Sequence, residues 1–134
     1  MKCKVLIVDD DPDLTNLVKN VLEAEDYTVY SAETGEEALG EVPKLRPDLI
    51  ILDIILPGID GYETCKILRS ADRTSGIPII ILSIKSSVED RIMGLNVGAD
   101  DYITKPFDTG ELAARVEAVL RGYGHSPSSR GERS

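Results

Sequence analysis

The stretch KVLIVDDDPDL, residues 4–14, runs from an apolar segment straight into four acids. Residues Lys4–Val8 are short, continuous and rich in branched aliphatics, the pattern of a strand covered on both faces. Asp9, Asp10, Asp11 and Asp13 follow at once. Two like charges about 4 Å apart repel by roughly 4 kcal/mol at an effective dielectric of about 20. A fold that keeps such a cluster must offset it with a helix N-terminus, a basic side chain or a bound cation. Asp11-Pro12 supplies the first of these, an N-cap residue followed by proline at the first helical position. Leu14, Leu17, Val18, Val21 and Leu22 then recur at helical spacing.

The same strand-then-helix unit repeats along the chain. A second strand is expected over 27–31. Thr34-Gly35-Glu36-Glu37 opens a helix with acids in its first turn, and Pro43 is expected to kink or end it. DLIIL, residues 48–52, is a third buried strand that stops at Asp53. LPGIDG then reads as a loop from its Pro and Gly content, and residues 62–70 as a helix. A fourth strand over 77–82 stops at Ser83. Residues 88–97 are helical, with Gly98 as C-cap. A fifth strand, Asp101–Thr104, stops at Lys105-Pro106. A last amphipathic helix over 109–121 carries Leu112, Val116, Val119 and Leu120 on one face. Strands and helices in alternation argue for an α/β fold, a parallel sheet with helices on both faces and right-handed crossovers. From Gly122 onward the chain is rich in Gly, Ser and charge and reads as a flexible linker or tail. His125 falls in that segment, away from any acid. Tyr123 either extends the last helix or frays.

Composition narrows the class. The chain has 134 residues, 42% of them hydrophobic and 29% charged, the balance of one globular domain able to close a core without disulfides. A net charge of −9 argues against nonspecific nucleic-acid binding, which rests on Lys and Arg. No apolar run approaches the roughly 18 residues of a membrane span, and MKCKVLIVDD lacks a signal-peptide plan. Cys3 and Cys65 have no metal-site spacing and are read as free thiols, so a cytoplasmic location is expected.

In an open parallel sheet, ligands sit outside the carboxyl ends of the strands. The residues at those ends are Asp9 and Asp10, Asp53, Ser83 and Lys105. One such acid alone is commonly a helix cap, and a lone lysine is commonly solvated. Three carboxylates, a hydroxyl and an ammonium together suit a hard cation and a phosphoryl group, because Mg²⁺ takes oxygen ligands and lysine serves as a point charge for phosphate.

These residues, in this order, resemble the receiver domain of bacterial two-component response regulators. The likeness is carried by KVLIVDDDPD, PDLIILDIILPGIDGYE, IPIIILS and GADDYITKPF, and with the spacing between them it covers residues 3–121. It implies a flavodoxin-like, doubly wound sheet of five parallel strands in the order 2-1-3-4-5 with five helices. It implies a receiver domain over 1–122 and a tail over 123–134. By the same resemblance Asp53 is the phosphoacceptor, Asp10 a direct ligand of Mg²⁺ or Mn²⁺, and Asp9 the acid that binds through water. Ile55 supplies a backbone carbonyl to the metal. Ser83 contacts the phosphoryl group, Lys105 pairs with its oxygens, and Lys105-Pro106 is a cis peptide. Tyr102 is the aromatic that changes rotamer with the switch. The implied donor is a sensor histidine kinase or a phosphotransfer protein. Ile55 and Lys85 stand where this family tunes hydrolysis of the acyl phosphate, and imply slow self-dephosphorylation.

The resemblance also implies output through the face of the fourth helix, fifth strand and fifth helix, where Arg91, Asp100, Asp101, Glu111 and Arg115 lie. Pairs Arg91–Glu111 and Asp101–Arg115 across a two-fold axis would make a phosphorylation-dependent homodimer; ordinary solvated helix charges are the competing reading. Other functions stay open at this point. A flavin protein would need a Ser/Thr/Gly-rich phosphate loop where DDDPD stands. A phosphoaspartate-type hydrolase would need an acid at Ile55. A pseudo-receiver that binds partners without phosphate is the remaining alternative. The kinase and the output are not legible: RSADRTSGIP resembles receivers joined to enzymes, KSSVEDRIMGLNVGADDYITKPF those of transcription factors.

Overall fold

In the computed structural model, which describes residues 2–124, strands and helices alternate. The order is β1 (Lys4–Val8), α1 (Pro12–Ala24), β2 (Thr28–Ala32), α2 (Gly35–Leu45), β3 (Leu49–Leu52), α3 (Gly61–Ser70), β4 (Ile79–Ser83), α4 (Val88–Asn96), β5 (Asp101–Thr104) and α5 (Thr109–Gly122). The five strands pair in parallel in the order β2-β1-β3-β4-β5. The chain therefore leaves β1 toward β2 on one side and returns to β3 on the other. That reversal opens a crevice at the carboxyl ends of β1 and β3.

Burial follows strand position. Every residue of β3 and β4 is buried, as expected for central strands with helices on both faces. The edge strand β2 leaves Tyr30 exposed. Successive side chains alternate between two cores. Val5, Ile7, Leu49, Ile51, Ile80 and Leu82 meet Val18 and Leu22 of α1 and Leu112 and Val116 of α5. Leu6, Val8, Ile50, Leu52 and Ile79 meet Ala38 and Val42 of α2 and Cys65 and Leu68 of α3. Burying each such Leu or Ile contributes about 2 kcal/mol. Cys3 and Cys65 are buried thiols outside any disulfide, one in each core, so the sheet separates them.

Each helix starts on a side chain that accepts from its first turn: Asp11, Thr34, Asp60, Ser87 and Asp108. Asp11 thus caps α1, taking the Asp13 N–H at 3.0 Å. Gly98 follows α4 at φ +112°, where its missing Cβ matters. Pro43 does not end α2, which runs on to Leu45 before Arg46 turns left-handed at φ 54°. The proline removes one late N–H from the ladder, while the helix keeps Val42 fully buried. Strand edges shift by one or two residues. Asp48 is a β3 lead-in whose carboxylate accepts from the Lys4 N–H at 2.7 Å, and Ile77 belongs to a turn closed on Thr74.

Candidate functional site

β1 and β3 are neighbours with Val8 opposite Leu52. The next residue on each strand is an aspartate, so register alone places Asp9 beside Asp53. The Asp53 N–H donates to Val8 O at 3.0 Å and fixes the step. Both acids are buried, Asp9 to 3% and Asp53 to 6% exposure. β5 delivers Lys105 from the other side: its N–H donates to Ser83 O at 2.8 Å, and the Lys105-Pro106 peptide is cis.

The ammonium of Lys105 closes the site. Nζ lies 2.9 Å from Asp9 Oδ2 and 3.1 Å from Asp53 Oδ2. The other oxygen of each carboxylate takes a backbone N–H two residues on, Asp11 to Asp9 Oδ1 at 2.9 Å and Ile55 to Asp53 Oδ1 at 3.2 Å. Burial raises the Asp9 pKa; the Asp11 N–H and Lys105 oppose it, the Asp53 charge adds to it, and the net direction is upward. Burial also works against the Lys105 charge, but Asp9 and Asp53 outweigh it and hold the ammonium above an ordinary lysine.

Asp10 does not join this triad. It is exposed and lines a cleft of about 200 Å³ with Asp9, Thr15, Asn16 and Glu33. Among the described residues no three acid, His or Cys side chains are grouped as a metal cage. The donor chemistry still fits a hard cation. The carboxylates of Asp9, Asp10 and Asp53 and the Ile55 carbonyl are all oxygen donors, and three carboxylates against one ammonium leave negative charge in excess.

Ser83 is fully buried at the end of β4, and its Oγ accepts from the Lys85 N–H at 3.3 Å. Tyr102 points inward, 8% exposed, and its hydroxyl donates to Lys85 O at 2.7 Å. The five residues expected on the output face divide. Arg115 binds Asp101 at 2.9 Å and Glu111 at 3.0 Å within its own chain. Arg91 is exposed. Asp100 instead meets Arg69 at 3.0 Å, the Ile79 N–H at 2.8 Å and the Tyr123 hydroxyl at 2.6 Å. Sequence reasoning passed over Arg69, which also donates to Gly98 O and Ser75 O and ties the α3–β4 loop to the α4–β5 loop. Nothing in its local pattern marks it. His125 lies outside the described residues.

The response regulator receiver domain family matches residues 5–117. This chain belongs to that family. It is 43% identical over 126 residues to the DNA-binding dual master transcriptional regulator RpaA of Synechocystis, covering 94% of this chain and 52% of that protein. The DNA-binding response regulator MtrA of Mycolicibacterium smegmatis is 43% identical over 128 residues, covering 96% of this chain and 55% of MtrA. The receiver thus spans about half the length of these curated relatives. Among solved structures, a response regulator of Chloroflexus aurantiacus described as putative superposes with TM-score 0.87 at 40% identity, over 90% of this chain and 99% of that one. The family is a two-component signalling family, is generally Mg²⁺-dependent and works with histidine kinases. Among the described residues no helix is long and apolar enough to cross a membrane.

Proposed function

We propose that this receiver takes a phosphoryl group from a sensor histidine kinase or phosphotransfer protein onto Asp53. The observation that carries the reading is the Lys105 ammonium shared between Asp9 and Asp53 at the crevice of the sheet. An Asp53 oxygen attacks phosphorus in line. The new O–P bond forms as the N–P bond of the phosphohistidine breaks, and the imidazole leaves with the electron pair. Asp9, Asp10, Asp53 and the Ile55 carbonyl would hold Mg²⁺ or Mn²⁺, which when bound neutralises charge on the phosphoryl oxygens. Lys105 stabilises the same charge from the protein side. Ser83 and Tyr102 carry the change to α4, β5 and α5. Hydrolysis of the acyl phosphate resets the domain, so the chain is no enzyme beyond these reactions on itself. In this reading residues 1–122 are the receiver unit and 123–134 a tail or linker. The names of its relatives favour a DNA-binding output, and the proposed setting is cytoplasmic.

Intact mass after incubation with acetyl phosphate and Mg²⁺ tests this. One added phosphoryl mass, absent without Mg²⁺ and absent in Asp53→Ala, is the expected result. A folded chain that gains no mass from either acetyl phosphate or a phosphorylated kinase would overturn it.

A further inference from the structure

The hydroxyl of Tyr62 has no place in the pocket, yet it bridges two helices. Tyr62 is in the first turn of α3, and its ring packs on the small cluster of Ile54, Ile81, Ala99 and Tyr102. Its hydroxyl reaches the first turn of α4, donating to Asp90 O at 3.1 Å with Asp90 Oδ1 at 3.4 Å. A phenylalanine would fill the same apolar cluster, so the oxygen is surplus to packing.

The neighbouring contacts give that oxygen a role. Ser83 Oγ holds the Lys85 N–H, and Tyr102 holds the Lys85 carbonyl. One peptide segment, in the loop just before α4, is therefore gripped from the pocket side and from β5. The Tyr102 ring in turn lies under α4: a Cβ on Gly94 would come within 2.8 Å of it. Any movement of the Lys85 segment reaches α4 through Ser87, its N-cap, and Asp90, whose N–H that cap holds. Tyr62 fixes the backbone of Asp90, and its side chain also meets that of Tyr102, so it ties the first turn of α4 to the relay.

We infer that Tyr62 is a positioning residue for the switch: its hydroxyl tethers the first turn of α4 in the unphosphorylated chain, and the signal from Asp53 must work against that tether. The inference rests on the phosphoacceptor reading for its second half only. A contact present in one of two arrangements biases their equilibrium by its own worth. The bias expected from one hydrogen bond of ordinary net strength is about five-fold.

Tyr62→Phe keeps the ring and removes the tether. In the unphosphorylated protein, hydrogen exchange of the Arg91 amide, which closes the first turn of α4 on Ser87 O, is expected to speed up by about five-fold. Core amides of β1 and β3 should be unchanged. Asp90→Ala, which retains the backbone acceptor, should accelerate it less. Equal exchange in wild type and Tyr62→Phe overturns the tether whether or not the chain takes phosphate. With acetyl phosphate and Mg²⁺, Tyr62→Phe is expected to reach a higher phosphorylated fraction. An unchanged fraction alongside faster exchange overturns the coupling. No phosphorylation of either protein refutes the phosphoacceptor reading while the exchange result still decides the tether.

Discussion

Arg115 and Asp101 pair within one chain, with the guanidinium Nη1 at 2.9 and 3.0 Å from the two carboxylate oxygens. Sequence reasoning weighed this pair across a two-fold axis against ordinary solvated charges. A dimer built that way exchanges one partner for its copy and gains little net Coulomb energy from the swap. In such a dimer the pair would set register, and apolar α4 surface such as Val88 and Ile92, both exposed, would supply the affinity. Arg115→Glu is expected to abolish phosphorylation-dependent dimerisation in analytical ultracentrifugation. It should shift monomer stability by about 1 kcal/mol, because the pair is only partly buried and still screened by solvent. A dimer that survives the reversal removes Arg115 from the interface.

Lys105 is the one cation between two buried carboxylates. Deleting it leaves Asp9 and Asp53 facing each other unneutralised. Lys105→Met is expected to lose about 3 kcal/mol in urea unfolding without divalent metal, the usual consequence of removing one member of a buried pair. Mg²⁺ should restore more stability to the variant than it adds to wild type, since only the variant lacks a resident cation. Equal Mg²⁺ effects on both proteins would show that these carboxylates are not where the metal binds.

The strand ends were legible because parallel register turns sequence position into spatial position: an acid after β1 and an acid after β3 must meet. Asp60, Ser87 and Asp108 were not read as caps, whereas the Asp11 cap of α1 was legible for a similar local reason, an Asp-Pro pair ahead of a helical pattern. The Arg69–Asp100–Tyr123 network was not, because its members stand 31 and 23 residues apart with no periodic pattern. The intrachain pairing of Arg115 was missed too, since charges on one surface do not announce their partners. Pro43 misled only as a stop signal, because a proline blocks one hydrogen bond when the helix is nearly finished.

Gly61 opens α3 against the backbone of Asp53, the proposed phosphoacceptor. A Cβ there would overlap the backbone of Asp53 and of Ile54, and the Gly61 N–H donates to Ile54 O at 2.8 Å. Backbone cannot swing aside as a side chain can. Gly61→Ala is expected to destabilise by at least about 2 kcal/mol and to slow acetyl-phosphate transfer well beyond that of Gly40→Ala, whose Cβ meets open space. Equal transfer rates in the two variants would mean α3 does not position Asp53.

Ile55 follows Asp53, the proposed acceptor, by two residues, with its side chain 46% exposed. An apolar group there offers an attacking water no hydrogen bond. Ile55→Asn places an amide in the same position and is expected to speed decay of the acyl phosphate several-fold, followed by loss of the phosphorylated mass. Unchanged decay sinks the assignment.

Cys65 gives a prediction that is independent of phosphate. Its thiol is fully buried in α3 and donates to Val97 O at 3.5 Å. Burial pushes its pKa from the usual 9.0 up to about 11, with Arg69 opposing weakly. A folded pKa above the unfolded one means the thiol's contribution is complete below about pH 9 and is lost as pH rises toward 11. The size is about 3 kcal/mol from two pKa units. Cys65→Ala has a pH-independent packing loss instead. Urea unfolding of both proteins from pH 7 upward should therefore show the wild-type advantage shrinking steadily above pH 9. The tyrosines titrate alike in the two proteins and cancel. A constant difference across that range would mean the thiolate is accommodated in the fold, with water or a cation reaching Cys65 between α3 and β4.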